Sequence, residues 1–335
     1  MKALQITGYG EIAKNVEIRE VENPRIEDDQ VLIEVHAASI NPVDYKIIEG
    51  AMRNIQKLSF PAAIGFDVAG TVKDKGTNVS DFNIGDEVFA RVPTHSPGTF
   101  AEMVAVDHQA VCQKPSNLSF VEAASIPLVG LTSVQAFQKA NLKAGNKVLI
   151  HAGSGGVGSF AVQYAKAQGA YVYTTTSTKN VEWVKDLGAD RVIDYKKEDY
   201  REIAKNVDVV YDTLGGNYTK EALEILKQGG RVVSIAGDPD NETAKELGLN
   251  GLIRFLMKLK RFKLDQLVKD KNAYYKFVMM HADGAQLNDL KELIENRYIS
   301  AIIDQEYPFS KAIDDLEHVK NGHTKGKVVL NMKLS

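Results

Sequence analysis

KVLIHAGSGGVGSFAVQYAKAQGA, residues 147–170, begins as an apolar strand, passes through a run of glycines and ends as a helix with recurring apolar positions. Gly153, Gly155 and Gly158 keep the G-x-G-x-x-G spacing, and Ser154, Gly156 and Val157 complete the loop. Between a strand and a helix, such glycines make a tight turn, admit a pyrophosphate to the backbone and let the helix pack on the strand. The stretch therefore predicts a dinucleotide-binding unit. Outside that setting the same spacing describes an ordinary loop.

Downstream the unit repeats. YVYTTTS precedes the helical NVEWVKDLGA, and DRVIDY, VDVVYDTLGG and GGRVVSIAG continue the series. Apolar strands alternating with amphipathic helices predict an α/β fold with a parallel sheet and right-handed crossovers. Upstream, VLIEVHAA, VAGTVKDKG, DEVFARV and TFAEMVAV alternate at strand period and are broken by Gly, Pro, Asn and Asp, which predicts a β-rich domain over residues 1–120. From residue 121 the texture turns helical, with Pro127 as a kink or break. A further strand is expected near FVMMHA and a closing strand at GKVVLNMKL.

The chain has 335 residues, which suits two domains, and its 41 Lys+Arg against 44 Asp+Glu leave a net charge of −3. No general basic field points to nucleic acid. RFLMKLKRFKLDQLVKDK (254–271) reads either as a basic amphipathic helix on a lipid surface or as a packed helix with a solvated face, and the second reading is favoured. Cys112 is the only cysteine, which excludes an intramolecular disulfide and a multi-cysteine zinc site. The first residues, MKALQITGYGEIAK, lack a signal-peptide core, so the expected compartment is the cytoplasm, without membrane insertion.

The strand after the glycine loop bears on which dinucleotide binds. An NAD site usually carries Asp or Glu about 20 residues on, bonded to the ribose 2′-hydroxyl. Here TTTSTKN (174–180) has no acid. Ser177 and Lys179, with Tyr195 at the end of the next strand, suit a 2′-phosphate, so NADPH is the expected cofactor. Ser177 also reads as an ordinary helix cap.

AASINPVDYK, FPAAIGFDVAGTV, NIGDEVFA, GTFAEMVAV, LTSVQAF, HAGSGGVG, TLGG and the terminal GKVVL together resemble the medium-chain dehydrogenase/reductase superfamily, in its zinc-independent quinone oxidoreductase and alkenal reductase branch. The resemblance implies a GroES-like catalytic domain over 1–120, completed by about 300–335, a Rossmann NADP-binding domain over 121–299, an active site in the cleft between them, and a homodimer. The apolar FVMMH at 277–281 is the candidate dimer edge, although a buried central strand reads the same way. The resemblance also implies cofactor contacts from Thr132, from the segment Asp212 to Gly216, which includes Gly215, and from Ala236 and Gly237. In the zinc alcohol dehydrogenases a Cys opens the segment matching NPVD, a Gly-His-Glu motif follows and a later Cys closes the site. Asn41, Phe66 and Leu128 stand there instead, so no metal is expected.

Zinc would polarise a carbonyl, and without it the acceptor must already be electrophilic, as a quinone or an α,β-unsaturated carbonyl (an enone or alkenal) is. In NPVDYK (41–46), read locally as a solvated turn, Asn41 becomes the candidate donor to the substrate oxygen or the group that orients the nicotinamide ribose. Tyr45 becomes a hydrogen-bond or proton donor, Lys46 an oxyanion or cofactor contact, and Asp44 the residue that fixes the loop. Phe66, Phe100 and Leu128 wall an apolar pocket or belong to the core, His151 reads as structural, and the histidines show no triad or metal spacing. The reaction expected is NADPH-dependent reduction by direct hydride transfer. The alternatives are a trans-enoyl thioester reductase and a non-catalytic NADPH-binding protein.

Overall fold

The computed structural model describes residues 1–53, 57–322 and 324–334 and divides into two compact units, Met1–Leu131 with His281–Ser335, and Thr132–Met280. The boundaries differ from the expected 120 and 299. Helix Gly284–Glu295, assigned above to the nucleotide domain, belongs to the first unit, where Glu295 accepts from the Ser116 N–H at 2.8 Å and Asn117 donates to Ile294 O at 2.9 Å.

The first unit is built on a seven-stranded sheet. Its order is Ile303–Pro308, Lys327–Asn331, Gln30–Ile40, Asp67–Lys75, Glu87–Arg91 and Val111–Gln113, with Met103–Asp107 also paired to Gln30–Ile40. The pairs are antiparallel except the first, which is parallel. Strand Gln30–Ile40 alternates buried and half-buried residues at first and is wholly buried over its last four. That change follows from the pairing, because strands lie on both sides of its end: Ile40 is opposite Val328 and Ser39 opposite Asp67. Three segments distant in sequence thus converge where NPVDYK begins.

The second unit carries six strands, all parallel, in the order Arg191–Asp194, Tyr171–Thr176, Lys147–Ile150, Val207–Asp212, Leu226–Ser234 and Tyr274–Phe277. This is the doubly wound Rossmann order, and its direction reverses between Lys147–Ile150 and Val207–Asp212, where such sheets bind ligands at their carboxyl ends. Alternation along each strand feeds two cores. Val148, Ile150, Val209, Tyr211 and Val233 pack on one face, and Leu149, Val210 and Val232 on the other. Each of these aliphatic side chains contributes about 1.5–3 kcal/mol by leaving water. The expected strand at FVMMHA lies slightly earlier, at Tyr274–Phe277, and forms the edge of the sheet. Pro127 is a break: it ends no helix but begins one, Pro127–Lys139, after the short helix Phe120–Ala124.

Candidate active site

NPVDYK is the start of a helix, Pro42–Ile48, with Asn41 as its N-cap and Pro42 in the first position. Asp44 Oδ2 accepts from the Asn41 backbone N–H at 2.7 Å and so closes the first turn. Beneath this turn lies a buried polar cluster. Asp67 accepts from Ser39 Oγ at 2.7 Å, from Asn41 Nδ2 at 2.9 Å and from the Leu128 backbone N–H at 2.8 Å. Lys327, from the closing strand, donates to Ile40 O at 3.1 Å and to Asn41 Oδ1, and its Nζ stands 3.6 Å from Asp67 Oδ2.

The charges in this cluster are out of water and shift accordingly. Burial lowers the Lys327 ammonium against the pull of Asp67 and Asp44. Burial raises the Asp44 carboxyl, against the Asn41 N–H and the Lys327 charge. Arg91 is lowered by burial to about 10, which leaves it charged near neutrality, and its guanidinium lies 4.9 Å from the centroid of the Phe66 ring.

This geometry corrects the role expected of Asn41. Its two amide hydrogens go to Ser39 O, at 3.2 Å, and Asp67, and its oxygen accepts from Lys327, so no amide hydrogen is left for a substrate carbonyl. Asn41 positions the turn. Tyr45 is half-buried, and burial raises its phenol above the ordinary value, with Glu49 adding to the effect, so it stays neutral and able to donate. Lys46 is exposed. Phe66 and Phe100 are fully buried in the core of the first unit, and Leu128 packs partly buried against the same core.

In the second unit the glycine loop follows strand Lys147–Ile150 and enters helix Gly156–Ala167. The first turn of that helix offers backbone N–H groups without intrahelical partners, and Ser154, Gly155, Gly156 and Val157 are half-exposed. Gly158 is required sterically, because a Cβ there would lie 2.1 Å from Ala152 O. The threonines of the next strand hold the loop from below: Thr174 Oγ1 donates to Ile150 O at 2.8 Å, Thr175 Oγ1 accepts from the Ala152 N–H at 3.1 Å, and Thr175 O accepts from the Gly153 N–H at 2.9 Å.

Strands Tyr171–Thr176 and Arg191–Asp194 end in register, Thr176 opposite Asp194, so Ser177 and Tyr195 emerge side by side, with Lys179 two residues on. Lys179 and Tyr195 are exposed and Ser177 half-buried. The neighbouring Asp194 carboxylate is already engaged, with the Thr178 hydroxyl and, at 3.1 Å, the Lys196 N–H. Thr132 is buried on helix Pro127–Lys139.

Asp212, the first residue of the segment expected to border the dinucleotide, organises that segment and the Ala236–Gly237 one from beneath. It accepts from the Leu214 N–H at 3.0 Å, the Gly215 N–H at 2.8 Å, Thr219 Oγ1 at 2.5 Å and Ser234 Oγ at 2.8 Å. Ser234 Oγ in turn accepts from the Gly237 N–H at 2.8 Å. Burial alone would raise this carboxyl, but the adjacent His151 ring and the bonds from Thr219 and Gly215 outweigh it and hold Asp212 at about 2. Gly215 has φ +73°, and a Cβ there would lie 2.2 Å from Ala236 O, so the TLGG turn and the Ala236–Gly237 segment meet directly.

Two family models match the chain: an alcohol dehydrogenase GroES-like domain over residues 27–116 and a zinc-binding dehydrogenase domain over 187–330. A 2-methylene-furan-3-one reductase of Solanum lycopersicum is 33% identical over 99% of this chain and 79% of its own length. An NADPH-dependent alkenal/one oxidoreductase of Arabidopsis thaliana, a chloroplastic protein, is 33% identical over 98% of this chain and 79% of its own. The quinone oxidoreductase structure from Coxiella burnetii superposes with a TM-score of 0.86 at 33% identity and 99% coverage of both chains. The chain belongs to the medium-chain dehydrogenase/reductase superfamily. Within it, the chain falls in the quinone oxidoreductase and alkenal reductase branch.

The zinc-binding model covers 187–330 and therefore none of the three positions where the zinc-dependent members of the superfamily place ligands. At those positions Phe66 is fully buried beneath Arg91, Leu128 is tied through its backbone to Asp67, and the Asn41 amide is spent on Ser39, Asp67 and Lys327. Among the described residues no three His, Cys, Asp or Glu side chains are grouped to hold a metal, and His323 lies outside the described residues. The residues present do not fit a zinc ion. No described helix is long and apolar enough to cross a membrane.

Proposed function

We propose that this chain is an NADPH-dependent reductase of quinones or α,β-unsaturated carbonyls that works by direct hydride transfer without zinc. The observation that carries the reading is the Asp67 cluster. The segments that hold a Lewis acid in the zinc-dependent members are here bound to one another, so the acceptor must be electrophilic before it arrives. NADPH, when bound, supplies the hydride. The names of the tomato and Arabidopsis relatives, a furanone reductase and an alkenal/one oxidoreductase, describe acceptors of this class.

The residues of the chain have limited, definable tasks in this reading. Gly153 to Gly158 and the first turn of helix Gly156–Ala167 receive the pyrophosphate, and Ser177, Lys179 and Tyr195 take the 2′-phosphate. Gly215, Ala236 and Gly237, held by Asp212 and Ser234, and Thr132 border the rest of the dinucleotide. Tyr45, neutral and half-buried, donates a hydrogen bond or a proton to the oxygen on which charge develops, with Lys46 as the nearby cation. Asn41 keeps Tyr45 and Lys46 in place through the helix start. A homodimer through strand Tyr274–Phe277 accompanies this reading, since that strand lies at the edge of its sheet.

Following NADPH absorbance with a quinone, a short alkenal, an enone and an enoyl thioester tests the reading. Turnover of the first three is expected. Turnover of the thioester alone would make the chain an enoyl reductase, and tight NADPH binding without turnover of any acceptor would make it a binding protein.

A further inference from the structure

Helix Gly251–Asp270 has two apolar faces. One is used: Leu264 is buried and Val268 packs on the core of the second unit, while the buried Arg261 lies 4.7 Å from the Tyr275 ring centroid and donates to Asp238 O at 3.0 Å and Asp265 at 2.8 Å. The other points to water. Leu252, Phe255, Leu256, Leu259 and Phe262 are between 55% and 69% exposed. At about 100° per residue these five fall within an arc of roughly 120° on the side opposite Leu264. The helix is thus packed on one face and solvated on the other, and the solvated face carries Leu and Phe.

The charge around this arc has one sign. From Gly251 to Leu264 the helix carries five cations, Arg254, Lys258, Lys260, Arg261 and Lys263, and no carboxylate. Lys258 and Lys260 border the arc on its two sides and Lys263 falls within it, all exposed. Lys260 is paired with Asp238 at 2.5 Å, whereas Lys258 and Lys263 have no ion pair among the described residues. The chain as a whole is at −3, so this is a local concentration of positive charge.

We propose that this face is a docking surface for an anionic lipid membrane. Large side chains projecting from a convex helix enter the boundary between headgroups and acyl chains, and flanking lysines keep their ammonium groups at the level of lipid phosphates. A second copy of the same face would bring Lys258 and Lys263 against their own kind, which is unfavourable. The opposite side of the helix is locked into the second unit, so the helix lies in the plane of the membrane without crossing it and the core is undisturbed. This docking goes beyond the proposed reaction and does not depend on it.

Flotation of the full chain with vesicles of phosphatidylcholine alone, and of phosphatidylcholine with about a third phosphatidylserine, tests the proposal. Binding to the anionic vesicles is expected to be at least about tenfold tighter than to the neutral ones and to weaken as salt is raised. The variants Lys258→Glu/Lys263→Glu and Leu259→Ser/Phe262→Ser are each expected to lose about tenfold or more while melting as the unsubstituted chain does. Should either pair unfold the protein, Phe255→Trp serves instead, with an emission shift to the blue on adding anionic vesicles. Equal binding to both vesicles, no binding, or no emission shift would overturn the proposal. So would capture by polyglutamate in place of lipid, or a dimer that Leu259→Ser/Phe262→Ser dissolves while vesicles bind nothing.

Discussion

Asn41 Nδ2 donates to Asp67 Oδ2 across 2.9 Å, and both side chains are buried. Asp67 is therefore the anchor for the start of helix Pro42–Ile48 and at the same time the only carboxylate within 4.0 Å of the buried Lys327 ammonium among the described residues. Removing its charge leaves that ammonium without its nearest carboxylate. Asp67→Asn is expected to cost about 3 kcal/mol in urea unfolding, and adding Lys327→Met is expected to restore much of the loss, because the second substitution removes the buried charge that the first leaves without its partner. A double variant no more stable than Asp67→Asn would show that the pair is not the unit that matters.

For Asn41 the expected signature follows from its role as a positioning residue. Asn41→Ala should lower kcat/KM for an enone about tenfold or more together with the melting temperature, while the dissociation constant for NADPH stays near its original value. A direct donor to substrate would lose turnover with the melting temperature unchanged, and that result would return Asn41 to the chemistry.

Lys179 is exposed next to the strand ends that carry Ser177 and Tyr195. A charge-assisted contact with a 2′-phosphate is lost in Lys179→Ala, which is expected to weaken NADPH about tenfold and to leave NADH nearly unchanged in titrations followed by cofactor fluorescence. Equal affinities of the unsubstituted chain for the two cofactors would remove the basis for NADPH.

The pH dependence of Asp212 has a definite sign. Its carboxyl is held at about 2 in the fold against the ordinary 3.8, so the fold binds this proton more weakly than the unfolded chain does. The resulting stabilisation is present above 3.8 and is lost as pH falls toward 2. Asp212→Asn should then cost about 2 kcal/mol at neutral pH, by urea unfolding, with a difference that narrows below about pH 4. The same variant loosens Gly215 and Gly237 and is expected to weaken NADPH binding.

Much of this site was legible in the sequence because its motifs are local. The glycine loop sits between its own strand and helix, and the strand ends bearing Ser177 and Tyr195 follow from counting along apolar runs. Lys327 was not legible. It is 286 residues from Asn41 and reaches it only through the pairing of Ile40 with Val328, a register that no local pattern encodes. Asp67 was missed for a related reason: a carboxylate at the start of an apolar strand reads as a turn residue, and its value lies in Ser39, Asn41, Leu128 and Lys327, which three separate stretches of chain bring to it. The exposed face of helix Gly251–Asp270 shows the converse. Helical period identifies two apolar stripes, but only the packed structure says which of them is covered.

The central claim, hydride transfer to an acceptor that is already activated, is tested most directly by a single turnover with NADPH deuterated on the transferred face and an enone. The account predicts deuterium on the β-carbon of the product, at a rate that a zinc chelator leaves unchanged. Deuterium on the carbonyl carbon, or a rate abolished by the chelator and restored by zinc, would contradict it.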